Sequence, residues 1–127
     1  MHARELGIAD QVIITGARDD IRDILSITNA VIFPSLNEGL GMVLVESQAA
    51  QVLCFASDTC PIEGKVSNLI SYISLKLPAE AWASAILETE YPAEVELTLD
   101  NYNIVEASKK LETIYKTVAS DNIKYLK

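Results

Sequence analysis

A chain of 127 residues has the length of one ordinary domain, and its 50% hydrophobic content is enough for a core. Charged residues make up 22% and are scattered, which argues against disorder away from the two ends. The net charge of -8, with no basic stripe, excludes nucleic acid as a partner, although backbone amides remain able to bind a small anion.

In chain order, the β-branched run at 12–14, ended by Thr15-Gly16, predicts a buried strand and a turn. Asp19 and Asp20 offer N-cap oxygens to a helix whose apolar positions are Ile21, Ile24 and Leu25. A second buried strand is expected over 30–33, stopped by Pro34-Ser35. After a polar loop at 37–41, a helix is expected over 42–50, then a third strand over 52–56. Residues 58–65 read as a loop, and the alternation at 69–75 as a shorter strand. Pro78 starts a helix to about residue 87, with Ala81, Trp82, Ala85 and Ile86 on one face. The domain core is expected over 11–88, a linker over 89–102, a last helix over 103–119 and a tail over 121–127. That last helix carries one stripe of Ile104, Val105, Ala107, Leu111, Ile114, Tyr115 and Val118.

Cys54 and Cys60 make no disulfide framework and read as free thiols, as in a cytosolic protein. The only histidine is His2, so no metal site is expected. The first ten residues lack the basic start and apolar core of a signal peptide, and no apolar run reaches transmembrane length.

Strands alternating with helices indicate an α/β fold with a Rossmann-like parallel sheet covered on both faces. Such sheets bind ligands at the carboxyl ends of their strands, which directs attention to residues 34–46. There Gly39 and Gly41 flank Leu40 just before an apolar helix. The first amides of that helix have no intrahelical partner and lie at the positive end of its dipole. The segment therefore suits an anion or hydroxyls. Glu38 stands at its mouth. Glu46 follows four apolar residues of the helix, where a charge facing a sheet is costly unless a ligand offsets it. Taken singly, Glu38 reads as a loop carboxylate, Glu46 as a residue on the wet side of the helix, and the glycines as turn residues.

The order of the whole segment is more specific. Strand, Pro34-Ser35, Glu38-Gly39-Leu40-Gly41, apolar helix, Glu46 and then small residues resembles the Glu-x(7)-Glu signature of family 4 glycosyltransferases of the GT-B type. Leu6-Gly7-Ile8-Ala9-Asp10 with Thr15-Gly16, Arg18-Asp19-Asp20-Ile21, and Asn29-Ala30-Val31 extend the likeness to about residues 4–90. Residues 60–82 look like the exopolysaccharide and capsule transferases of Gram-positive bacteria.

The resemblance implies the donor-binding, C-terminal half of a transferase that uses a nucleotide-diphosphate sugar, retains configuration and needs no metal or other cofactor. Glu46 would hold the ribose hydroxyls. Glu38, the candidate catalytic residue, would touch hydroxyls of the transferred sugar. Amides of Gly39, Leu40 and Gly41 would face the sugar and diphosphate. No residue stands out as a general base. The implied setting is the cytoplasm, with the full-length parent at the inner face of the membrane.

The chain departs from the family at Gln51, where glycine is usual, and at 59–63, where a glycine-rich stretch and a Pro-Glu pair are usual. Two strand–helix units that begin the family's donor domain, one carrying a phosphate-neutralising Arg and Lys, and the acceptor domain are expected to be missing. The strand at 12–14 is then expected to pair with that at 30–33, or a second copy to cover the exposed sheet edges. Loss of the two cations should weaken donor binding by about two to four decades, so no transfer is expected from this fragment. Two readings stay open: the donor half of an enzyme, and a non-catalytic interaction subunit of a split glycosyltransferase. A receiver-like domain is disfavoured, because Thr15-Gly16-Ala17 offers no acidic pocket.

Overall fold

The computed structural model describes residues 2–124, and side chains to residue 119. Its centre is a three-stranded parallel sheet of β1 (Ala30–Phe33), β2 (Leu53–Ser57) and β3 (Ile70–Ile73), in that spatial order. Ala30 pairs with Leu53 and Phe33 with Ala56, while Cys54 pairs with Ile70 and Ser57 with Ile73. The helices are α1 (His2–Glu5), α2 (Ile21–Ser26), α3 (Met42–Ala49), α4 (Ala79–Glu88) and α5 (Ile104–Lys124). The chain is thus an α/β fold with an open Rossmann-like sheet flanked by helices.

Strand alternation distributes the core to two faces. Cys54, Ala56 and Ile70 meet Leu44 of α3 on one side, joined by Val31, Phe33 and Tyr72. Phe55 and Ile73 meet Trp82 of α4 on the other, with Leu53, Ala85 and Ile86. The buried Trp82 indole is satisfied by donating to the Ser74 carbonyl at 3.2 Å. Both cysteines are buried free thiols, and burial pushes Cys54 up to about 11.

The expected strand at 12–14 is not formed. Ile13 is 85% exposed and Ile14 92%, and among the described residues the only partner of β1 is β2. The expected pairing of 12–14 with 30–33 is therefore overturned. A β-branched run becomes a strand only when a ladder and a covering layer are available, and the described residues supply neither to this segment. Asp20 stands at the N-cap of α2 but makes no capping bond, because its carboxylate is held by the Arg18 guanidinium, with Nε donating at 2.7 Å.

Gln51 has φ +61°, the only positive φ outside glycine among the described residues. It closes α3 in a Schellman turn: Val52 N–H donates to Ser47 O at 2.9 Å and Gln51 N–H to Gln48 O at 3.0 Å. The left-handed position in that turn explains why glycine is usual there in the family the chain resembles.

Residues 94–98 run alongside 66–68, through an antiparallel Ser67–Leu97 bridge and a 2.8 Å bond from Thr98 N–H to Val66 O. The apolar stripe of α5 lies exposed along its described length rather than against the sheet. Residues 121–124 of the expected tail continue this helix, and 125–127 lie outside the described residues. Among the described residues, no helix is long and apolar enough to cross a membrane.

Candidate functional site

The loop between β1 and α3 lies at the carboxyl end of the sheet. Pro34 ends β1, and Ser35 then fastens the loop to the end of β2. The Ser35 carbonyl accepts from the Ser57 hydroxyl and, at 2.7 Å, from Thr59 Oγ1. The Ser35 hydroxyl donates to Glu38 Oε1 at 2.8 Å, a charge-assisted bond that outcompetes the Asn37 carbonyl at 3.2 Å for its one proton. Glu38 is thereby half-buried and oriented, with one of its two oxygens engaged.

Gly41 is the N-cap of α3, in the left-handed region at φ +72°, and offers no capping side chain. A Cβ there would lie 3.3 Å from Leu44 Cδ1, so the fold itself favours glycine at this point. A Cβ at Gly39 would meet nothing within 4 Å. The first turn of α3 contains no acidic residue, so its leading amides face neither a cap nor a carboxylate of their own helix.

Glu46 lies on the exposed side of α3, while Leu44, Val45, Ser47 and Gln48 are buried. The expectation that Glu46 sits at a costly place against the sheet is thus corrected: four successive apolar residues span more than a full helical turn, and position 46 falls on the wet face. Glu46 borders an open groove of about 440 Å³ between α2 and α3, with Ile21, Arg22, Leu25, Ala49 and Ala50. Glu38 is not among the residues lining that groove, so the two glutamates border separate parts of the surface.

Ser35, Ser57 and Thr59 shape the loop through a hydroxyl network that sequence pattern does not reveal. Their signal was weak, because three scattered hydroxyl residues acquire meaning only when the ends of β1 and β2 are side by side. The free thiol of Cys60 joins the same network, its sulfur 3.3 Å from Ser57 Oγ.

The model for the family described as Glycosyl transferases group 1 matches residues 1–103. The chain belongs to the group 1 glycosyl transferases. The Bacillus subtilis (strain 168) protein named "Putative glycosyltransferase EpsF" is 34% identical to it over 87 residues, 66% of this chain. The match spans 22% of the length of that relative. In this group 1 glycosyl transferase chain, the β1–α3 loop and the exposed side of α3 together contain the Glu38-to-Glu46 motif.

Proposed function

We propose that this chain is the donor-binding part of a nucleotide-sugar-dependent glycosyltransferase. The parent would be a retaining, hexosyl-transferring enzyme of bacterial polysaccharide biosynthesis, acting in the cytoplasm or at the inner face of the membrane. The observation that carries the reading is the uncapped, glycine-led N-terminus of α3, preceded by Glu38 in the loop and followed by Glu46 on the exposed side of the helix. A diphosphate fits the leading amides and the positive end of the helix dipole. Gly39 adds support, since nothing in the chain's own contacts demands a glycine there, whereas close approach of a ligand to the backbone would.

In this proposal Glu46 accepts hydrogen bonds from the ribose hydroxyls beside the apolar walls of the α2–α3 groove. Glu38, held by Ser35, accepts from hydroxyls of the transferred sugar, and amides of Gly39, Leu40 and Gly41 face the sugar and diphosphate. No metal or other cofactor enters, and the fragment alone completes no transfer. The non-catalytic alternative draws support from the outer edge of β1, which no strand among the described residues covers, and from the exposed Ile13, Ile14 and Ile32. Those surfaces call for a covering polypeptide, whether an acceptor domain, a partner subunit or a second copy.

An NMR titration of the 127-residue chain with uridine diphosphate tests the main reading. Shift changes centred on 39–46, and lost in Glu46→Ala, are expected. Silence to millimolar ligand would sink the donor-site reading for this chain.

A further inference from the structure

Two residues past Glu46, α3 carries Gln48, a fully buried amide side chain. Gln48 Nε2 donates to its own helix at Leu44 O, 2.9 Å, and across to Gly64 O, 2.8 Å. Its Oε1 accepts from Val66 N–H at 3.1 Å, Ser67 N–H at 3.0 Å and the Ser67 hydroxyl at 3.0 Å. Carbonyls surround one end of the amide and donors the other, so its orientation is unambiguous. A buried glutamine with both ends used ties the segment after β2 rigidly to α3.

The tie has a consequence at the glycine loop. Gly64 is buried, and a Cβ built on it would lie 2.9 Å from the Leu40 carbonyl oxygen. The turn Ile62–Gly64 is thus pressed against the back of the Leu40–Gly41 peptide. Two further bonds hold the turn from outside: Tyr72 donates to Pro61 O at 3.2 Å and Tyr102 to Glu63 O at 2.9 Å. We infer that Gln48 is a positioning residue: through Gly64 it buttresses Leu40 and so sets where the amides at the start of α3 point. Gln48 itself touches no ligand in this account. Its effect on donor affinity rests on the donor-site reading above, whereas its effect on the loop does not.

The test is a set of NMR measurements on the intact chain, with Gln48→Met and Gly64→Ala. Gln48→Met keeps length and removes every side-chain bond from position 48 to residues 64–67. Gly64→Ala leaves those bonds intact and pushes on Leu40 directly. In both variants, without ligand, the amides of Leu40, Gly41 and Met42 are expected to shift and exchange faster while those of β2 hold still. Uridine diphosphate affinity is expected to fall roughly tenfold or more, an amount equal to losing one charge-assisted bond. Unmoved amides at 40–42 in folded variants would overturn the inference. So would a loss of melting temperature with affinity unchanged, since that is what a purely structural glutamine does. If Gln48→Met fails to fold, Gly64→Ala decides alone. If the wild-type chain binds no uridine diphosphate, the donor reading fails, and the ligand-free amide response still decides the buttress.

Discussion

The Ser35 hydroxyl holds Glu38 by a 2.8 Å bond, and the Ser35 carbonyl is itself held by hydroxyls at the end of β2. The carboxylate is therefore oriented by the sheet rather than by its own loop. Ser35→Ala should leave affinity for uridine diphosphate intact and weaken a uridine-diphosphate hexose by about two- to tenfold, the range of one net hydrogen bond. Parallel titrations with the two ligands check this, and equal weakening of both would reject a sugar-specific role for Glu38.

The two glycines of the loop should part company under substitution. Gly41→Ala forces a left-handed backbone onto a residue with a side chain and crowds Leu44, so a loss of about 1–2 kcal/mol is expected. Gly39→Ala meets open space and should change stability by less than about 0.5 kcal/mol while reducing donor affinity. Urea unfolding and ligand titration separate the two effects.

Gln51→Gly should stabilise the protein. The left-handed turn at φ +61° strains glutamine by about 1–2 kcal/mol, and the greater unfolded-state freedom of glycine returns part of that. A net gain of about 0.5–1 kcal/mol is expected, read as a higher urea midpoint at unchanged slope.

Leu44 and Ile14 are both apolar but should respond to very different degrees. Leu44→Ala opens a cavity beneath the start of α3, with an expected loss of about 2–5 kcal/mol. Ile14→Glu alters an exposed side chain and should stay within about 0.5 kcal/mol in the monomer. A large loss for Ile14→Glu would show that residues 12–14 are paired in solution, and sedimentation of the same variant reports whether a second copy covers them.

Alkaline stability should carry the mark of Cys54. Burial raises its folded pKa from an ordinary 9.0 to about 11. The unfolded thiol ionises first, so this contribution is complete below about pH 9 and is lost as pH rises from there to about 11. Burial raises Tyr72 in the same sense. Urea midpoints in Cys54→Ala should fall less steeply across that interval than in the wild type, and parallel slopes would reject the assignment.

Local patterning sufficed for much of this molecule. The short apolar runs near residues 30, 53 and 70, the stop at Pro34 and the glycine-led start of α3 all mark themselves in sequence, because strand alternation, ring closure at proline and the steric freedom of glycine act within a few residues. The ordered segment from Glu38 to Glu46 was legible for the same reason. The run at 12–14 has equal local credentials and forms no strand, since a ladder needs a neighbour that pattern cannot guarantee. The exposed side of Glu46, the tie from Ser35 to Ser57 and Thr59, and the buttress from Gln48 through Gly64 to Leu40 depend on which distant backbones meet. Those meetings are set by burial of Leu44, Cys54 and Phe55 between layers, a property of the assembled fold that single residues do not carry.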